Sequence, residues 1–323
     1  MTGFTKDVII LAMKNKIICL AIGVIASLII AELLLRIAAF GYNLVYRVPK
    51  NYKDSDYRIL CVGESTTFGI GTSNPPLYCY PRQLEKRLNE KFPGLRIKCF
   101  YDQNIGLNTT QNLIKLPSAI RNYRPNLVIF MVGANNWWNL DKSNIVLFNK
   151  NVLLQQTSIK LLVLLNHFRV YKLLKWLIYS NSLIKLEYRV QWPDAWSGNE
   201  ENTKIRMKMV AALQKSVEDK YNMDIFDEIA YYDLQEMIKI CKRNKIEIFI
   251  CSYPDGGPSG LYSIQKKASL LFNCYFVDNR LIFSNLSNTK DYFSSDGSHP
   301  NEKGYGIVAE NIYNCILEHK LIK

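Results

Sequence analysis

Short runs of apolar residues alternate with amphipathic segments along most of the chain after residue 57. Short apolar runs that end in a turn signal are typical of buried strands, whereas apolar positions three and four residues apart indicate helices. This pattern predicts strands at 59–62, 95–101, 127–132, 246–251 and 274–277, and helices at 80–91, 109–123, 226–243 and 302–319. Such alternation predicts a parallel sheet with helices on both faces and an active site at the carboxyl ends of its strands.

One long segment, residues 141–224, does not follow this alternation. It lacks a clear strand and contains a basic, apolar stretch with helical spacing at 159–186. The basic residues of this stretch, which lie among leucines, isoleucines and Trp176, are Lys160, Arg169, Lys172, Lys175 and Lys185. We predict a helical insertion within one domain that covers residues 51–323. Its helix either lies on an anionic membrane interface or packs on the core of the domain.

The N-terminal segment, residues 1–50, contains an unbroken run of apolar or small residues at 17–31, which 33–35 extend beyond Glu32. The run approaches the roughly 20 residues that a helix needs to cross a bilayer. Lysines at positions 6, 14 and 16 favour a cytoplasmic amino terminus and export of the rest of the chain, although Arg36 and Arg47 on the other side oppose this orientation. We predict a single-pass membrane anchor and a linker, with the domain on the extracytoplasmic side.

Two other interpretations of the N-terminal run remain open. A cleaved signal peptide has a similar composition, although the only small-residue exit, Ala38-Ala39, matches a cleavage site poorly. A buried core helix is the second alternative, although no amphipathic stripe marks the run.

Composition and charge narrow the partners that the chain is expected to have. Hydrophobic residues make up 48% of the chain and charged residues 21%, which is an ordinary globular balance. The formal net charge is +13, but the basic residues are spread along the chain without a nucleic-acid-binding motif, so nucleic acid is not an expected partner. An anionic membrane or an acidic glycan suits this charge.

The eight cysteines are scattered, without a C-x-x-C pair or zinc-ligand spacing, so no metal site is expected. Several lie in apolar, strand-like runs, where a cysteine usually serves as a small buried residue. A disulfide between Cys79 and Cys99 is the alternative if the domain lies outside the cytoplasm.

Polar loops follow the first three predicted strands. Gly63-Glu64-Ser65 follows the first strand, and a serine on such a turn can present its hydroxyl and its backbone N–H together. Gly106 lies after the second strand, where a glycine lets a ligand approach its N–H closely. Asn135 lies after the third strand, and its amide can donate a hydrogen bond to a developing oxyanion. Each residue also suits an ordinary turn or helix cap, so none alone indicates catalysis.

A polar loop near the C-terminus, Asp296-Gly297-Ser298-His299-Pro300, adds a candidate acid–base pair. The chain has only three histidines, of which His167 lies in the insertion and His319 in the terminal helix, where surface roles are expected. His299 follows Asp296 by three residues, which lets the carboxylate bond one ring nitrogen and fix the tautomer. The other ring nitrogen can then take the proton of a serine hydroxyl.

Taken together and in this order, the four stretches resemble the SGNH/GDSL hydrolase family from about residue 58 to the C-terminus, apart from the insertion. The resemblance implies a three-layer α/β/α domain with a parallel, flavodoxin-like sheet. It implies that Ser65 is the nucleophile and that Asp296 and His299 complete the triad. It also implies an oxyanion hole formed by the N–H groups of Ser65 and Gly106 and by the side chain of Asn135.

Two positions depart from the motifs of the family. Glu64 stands where the family has an aspartate before the serine, and Asn136 stands where it has an aspartate after the asparagine. Neither position carries the proton transfer, so we expect activity to be kept while local geometry and substrate preference change.

The resemblance implies a serine esterase that acts on acetyl or other short-chain esters and needs no cofactor. Membrane placement and the basic charge favour an ester of a cell-surface glycan or lipid. Two alternatives remain: an O-acyltransferase on the same fold, in which a sugar hydroxyl replaces water, and a non-catalytic protein that binds or assembles glycans.

Overall fold

The structure is a computed structural model that describes residues 3–46, 55–102, 105–139, 143–144, 165, 168–171, 173–174, 224–258 and 260–322. The chain divides into two compact units. The first contains Met1–Pro49 and Val152–Arg189, and the second contains Lys50–Asn151 and Val190–Lys323. Most of the predicted insertion at 141–224 lies outside the described residues, including His167, and the predicted domain boundaries stay predictions.

The first unit contains one long helix, α1 (Gly3–Tyr46). Its segment Met13–Ala38 has a mean hydropathy of 2.8 over its best window and is long and apolar enough to cross a bilayer. The large apolar side chains of this segment are exposed, which excludes the alternative of a buried core helix for the described part of the chain. A signal sequence near the amino terminus would show the same features.

Five parallel strands form the sheet of the second unit, in the order β2-β1-β3-β4-β5. The strands are β1 (Tyr57–Gly63), β2 (Ile97–Tyr101), β3 (Leu127–Met131), β4 (Glu247–Cys251) and β5 (Tyr275–Val277). This order is that of flavodoxin-like sheets, in which the direction of winding changes between β1 and β3. All five strands were predicted, and their ends differ from the prediction by two residues at most.

The first two described helices of this unit are single turns, four longer helices connect successive strands, and the last two follow β5. They are α2 (Ser65–Phe68), α3 (Pro75–Tyr78), α4 (Tyr80–Lys91), α5 (Thr109–Tyr123), α6 (Asp224–Arg243), α7 (Leu261–Leu271), α8 (Asn279–Ser284) and α9 (Glu302–Glu318). A short 3₁₀ helix lies at Thr289–Tyr292. Helices α4, α5, α6 and α9 match the predicted helices.

Successive side chains of a strand point to opposite faces of the sheet, and apolar clusters cover both faces. On β3, Leu127, Ile129 and Met131 join one apolar cluster, which includes residues of α4 and α9. Val128 and Phe130 join a second cluster, which includes residues of α5 and α6. Two layers of helices therefore cover the sheet, and the predicted three-layer α/β/α fold is confirmed.

All eight cysteines are free thiols, so the alternative disulfide between Cys79 and Cys99 is not formed. Both thiols are buried, as are those of Cys61, Cys241 and Cys251. Burial raises the pKa of the Cys241 thiol to about 12, which keeps it neutral and unreactive at physiological pH. These cysteines therefore serve as small core residues.

Candidate active site

Three of the predicted residues form a continuous line of hydrogen bonds at the carboxyl edge of the sheet. Nε2 of His299 lies 2.8 Å from Oγ of Ser65, and Nδ1 of the same ring lies 2.7 Å from Oδ2 of Asp296. Ser65 and Asp296 are each 8% exposed, so the serine hydroxyl is reachable from solvent but mostly shielded from it. This geometry allows a proton to pass from the hydroxyl to the imidazole.

The carboxylate of Asp296 is held by more than the imidazole. Its Oδ1 atom accepts hydrogen bonds from the Ser294 hydroxyl at 2.8 Å, the Ser298 N–H at 3.0 Å and the His299 N–H at 2.9 Å. Burial of Asp296 opposes ionisation, but the hydrogen bonds and charge of His299 outweigh it and hold the pKa of the carboxyl well below its usual range. Asp296 is therefore a fixed anion that orients the ring and can stabilise an imidazolium.

The turn after β1 presents the serine. Gly63 pairs with Met131 at the end of the strands, and a side-chain carbon at Gly63 would lie only 2.7 Å from the Met131 carbonyl oxygen, so glycine is required there. Ser65 is the first residue of α2, whose turn closes with the Gly69 N–H on the Ser65 carbonyl oxygen at 3.0 Å. The N–H of a first helical residue has no intrahelical acceptor, so that of Ser65 can donate to a substrate oxygen.

A second glycine lets the serine loop approach the histidine loop. Gly71 has a φ of +99°, and a side-chain carbon there would lie 2.6 Å from the Pro300 carbonyl oxygen and 3.0 Å from Cβ of His299. The Tyr305 hydroxyl also donates to the carbonyl oxygen of Ile70 at 2.7 Å and fixes the same loop to α9. Both contacts help to hold the Ser65 hydroxyl and the His299 ring at hydrogen-bonding distance.

Gly106 and Asn135 lie on two loops that are bonded to each other. The Asn139 amide donates to the Gly106 carbonyl oxygen at 2.6 Å, and Nδ2 of Asn135 donates to the Leu107 carbonyl oxygen at 3.1 Å. The Trp138 indole N–H donates to Oδ1 of Asn135 at 2.9 Å, which fixes the orientation of the amide. Because an amide nitrogen carries two hydrogens, Asn135 keeps one that can reach a ligand.

Glu64 lies next to Ser65 in the sequence and turns its carboxylate into the protein, where it is 1% exposed. Its Oε2 atom accepts the Tyr253 hydroxyl at 2.6 Å, and its Oε1 atom accepts the Gly133 N–H at 2.9 Å. Burial raises the pKa of Glu64 to about 7, although both hydrogen bonds act to lower it. The side chain thus connects the ends of β1, β3 and β4.

Asn136, the other departure from the family motif, belongs to a buried polar cluster at the start of α5. Its amide oxygen accepts the Thr109 N–H at 2.8 Å, and its amide nitrogen donates to the Thr109 hydroxyl at 2.9 Å. Asp233 accepts the hydroxyls of Thr109 and Thr110, both at 2.7 Å, and the Asn144 amide at 2.8 Å. Burial raises the pKa of Asp233 to about 6. The cluster fixes the loops that carry Gly106 and Asn135.

Three residues that support these loops, Tyr253, Asp233 and Gly71, were not predicted from the sequence. A signal existed for two of them. Tyr253 comes two residues after β4, at the edge of the sheet where an active site is expected. Asp233 lies at helical spacing from the buried residues Ile229 and Met237, which marks it as a buried carboxyl on an apolar helix face. Nothing local to Gly71 indicates that it meets a loop more than 200 residues away.

The remaining polar candidates lie away from these loops. His319 is exposed and its ring packs on Tyr275 with 4.2 Å between centroids. Within the described ranges, no three His, Cys, Asp or Glu side chains are grouped so that they could hold a metal ion.

The sequence matches the family described as GDSL-like Lipase/Acylhydrolase over residues 59–312. No curated protein matches it. Similar solved structures include a lipase/acylhydrolase from Enterococcus faecalis, with a TM-score of 0.47 and 12% identity over 80% of this chain and 95% of the other. The esterase EstA from Pseudoalteromonas sp. has a TM-score of 0.46 and 13% identity over 81% and 98%. A single-site variant of Axe2, an acetyl xylan esterase from Geobacillus stearothermophilus, has a TM-score of 0.45 and 14% identity over 80% and 94%.

Proposed function

Since the chain belongs to the GDSL-like lipase/acylhydrolase family and is therefore an ester-hydrolysing enzyme, we propose that it cleaves acyl esters with Ser65 as nucleophile, His299 as general base and acid, and Asp296 as the orienting carboxylate. The observation that carries this proposal is the unbroken Ser65–His299–Asp296 line, with distances of 2.8 and 2.7 Å. The resemblance found in the sequence is confirmed at the level of the family.

The proposed reaction proceeds through an acyl-enzyme. Oγ of Ser65 attacks the ester carbonyl carbon while its proton passes to Nε2 of His299, and the Asp296 carboxylate stabilises the resulting imidazolium. The N–H groups of Ser65 and Gly106 and the side-chain amide of Asn135 bind the oxyanion. His299 then gives its proton to the leaving alcohol oxygen as the C–O bond breaks. Water, activated by the same imidazole, attacks the acyl-enzyme, which releases the carboxylic acid and restores the serine.

We further propose that the enzyme is held at a membrane by α1 and acts on acetyl or other short-chain esters of cell-surface glycans or lipids outside the cytoplasm. The exposed apolar segment Met13–Ala38 and the net charge of +13 support this placement. The proposed chemistry uses no cofactor and no metal.

Kinetics of variants test the proposed roles on an aryl acetate. Ser65→Ala and His299→Ala should each lower kcat/KM by about a thousandfold or more, because the nucleophile or the base is lost. Asn135→Ala should cost about a hundred- to a thousandfold as a lost oxyanion donor. Ser287→Ala and His319→Ala, at exposed positions away from these loops, serve as matched controls and should retain full activity. Turnover close to wild type in Ser65→Ala would overturn the assignment.

A further inference from the structure

A solvent-open cleft of about 580 Å³ lies at the carboxyl edge of the sheet, on the side of β4 and β5. Asp255, which follows β4, and Arg280 and Phe283 on α8 form part of its wall. Lys290 on the 3₁₀ helix also lines it, as do residues of the histidine loop that include Phe293, Ser294 and Gly297. Its volume lies within the range of small-molecule sites, which is roughly 300–1,000 Å³.

The cleft and the triad share one loop. Ser294 lines the cleft and also donates its hydroxyl to Oδ1 of Asp296 at 2.8 Å. Asp255 is exposed at the cleft, yet partial desolvation by the surrounding protein raises the pKa of its carboxyl, and the charges of His299 and Asp296 act on it as well. A molecule in the cleft would therefore lie beside the histidine loop, whereas Gly106 follows β2 on the far side of β1 and Asn135 follows β3, between β1 and β4.

This placement decides which part of an ester the cleft can hold. His299 must protonate the alcohol oxygen when the acyl-enzyme forms, so the alcohol part of the substrate lies on the histidine side of the serine. The carbonyl oxygen points instead toward the oxyanion donors. The cleft is therefore placed for the alcohol part and not for the acyl chain.

The lining combines cations with aromatic rings. The Arg280 guanidinium lies over the Tyr262 ring, 4.9 Å from its centroid, and packs along Gly256, where a side-chain carbon would lie 3.3 Å from Nε. Neither Arg280 nor Lys290 forms an ion pair with any described residue. The partly exposed Phe293 ring gives the cleft an apolar wall, and the buried Phe283 ring packs behind it with 5.5 Å between centroids.

We propose that this cleft binds the alcohol part of the substrate and that this part is a sugar bearing an anionic group, a carboxylate or a phosphate. The inference rests on the proposed esterase function and specifies its substrate class. The sugar ring packs on Phe293, and Arg280 and Lys290 bind the anionic group. Asp255 accepts hydrogen bonds from sugar hydroxyls, and its negative charge keeps the anionic group of the sugar beside Arg280 and Lys290.

Matched substrates test this proposal on the full-length protein. A mono-O-acetylated methyl glucoside, the corresponding glucuronide and the corresponding glucose phosphate are compared by kcat/KM, with an aryl acetate as reference. The wild type should prefer at least one anionic ester over the neutral glucoside by about tenfold or more, and the preference should shrink as salt is added. Comparison of the glucuronide with the glucose phosphate shows whether the cleft prefers a carboxylate or a phosphate.

A charge-matched pair of double variants provides the control. Arg280→Gln with Lys290→Gln should lower the anionic-to-neutral preference by about tenfold, through KM more than through kcat. Lys91→Gln with Arg121→Gln removes the same charge at exposed positions on α4 and α5 and should leave the preference unchanged.

Equal turnover of all three sugar esters by the wild type, or the same preference in both double variants, would overturn the cleft proposal. If the wild type also failed to hydrolyse the aryl acetate, the proposed esterase function would itself be wrong. Hydrolysis of the aryl acetate through Ser65 without a preference would contradict the cleft proposal alone.

Discussion

Replacing Glu64 by glutamine should make the fold less sensitive to pH. The Glu64 carboxyl is fully buried, with a pKa raised from 4.5 to about 7. Below pH 4.5 both the folded and the unfolded chain hold this proton, so the raised pKa has no effect on stability. Between pH 4.5 and 7 the unfolded chain has lost the proton while the folded chain keeps it, so stability falls as pH rises.

The pKa difference sets the size of this effect. Each pKa unit corresponds to about 1.4 kcal/mol. Because Glu64 ionises more readily in the unfolded chain, the free energy of unfolding should be about 3 kcal/mol lower at neutral pH than below pH 4.5. Glutamine can keep the hydrogen bonds. Its amide oxygen accepts the Gly133 N–H, and its amide nitrogen donates to the Tyr253 hydroxyl. That hydroxyl then donates to the Met131 carbonyl oxygen, which already lies 3.1 Å away.

Urea unfolding of wild type and Glu64→Gln at a series of pH values measures the effect. As the pH rises from 4.5 to 7.5, the free energy of unfolding of the variant should increase by about 3 kcal/mol relative to that of the wild type. Asp233→Asn should show its gain at lower pH, because the pKa of Asp233 is raised from 3.8 to about 6. Glu90→Gln, at an exposed position on α4, should follow the wild type. If the stability of Glu64→Gln also followed that of the wild type at every pH, the pKa of Glu64 would not be raised in the folded protein.

Three further predictions concern the membrane, the acceptor and the triad. Full-length protein should remain in membranes after an alkaline carbonate wash, and a chain that begins at Asn51 should be soluble and active; release by the wash or trimming near Ala39 would contradict the anchor. With an aryl acetate and added oligosaccharides, mass spectrometry should find mainly free acetate; acetylated sugar as the main product, with turnover rising as sugar is added, would favour the transferase instead. Asp296→Asn should lower kcat by about ten-thousandfold because the imidazole loses its oriented tautomer, and activity within tenfold of wild type would contradict that role.

The sequence was sufficient to predict the fold because the strands of the sheet are short, mostly apolar runs. Leu127–Met131 reads as a buried strand without knowledge of its neighbours, since parallel strands covered on both faces are apolar at every position. The short helices α2, α3 and α8 and the longer α7 were not predicted. In the first three, four to six residues carry too little periodicity to distinguish a helical turn from a loop.

The candidate site was predictable where residue type and position along the strands agree. Ser65, Gly106 and Asn135 each follow a strand, and His299 follows Asp296 at the spacing that a carboxylate–imidazole pair needs. The partners of Glu64 were not predictable, because the sequence does not indicate whether a polar side chain beside a turn faces solvent or the core. Its contact with Tyr253 joins residues 189 positions apart and follows only from the adjacent ends of β1, β3 and β4.

Active-site labelling can identify directly whether Ser65 is the nucleophile. Full-length protein is treated with a fluorophosphonate, digested and examined by peptide mass spectrometry. We expect one phosphonate adduct, on Ser65, which forms much more slowly in His299→Ala because the imidazole that lies 2.8 Å from the hydroxyl is gone. An adduct on another serine, or undiminished ester hydrolysis by protein that carries the label on Ser65, would contradict this role of Ser65.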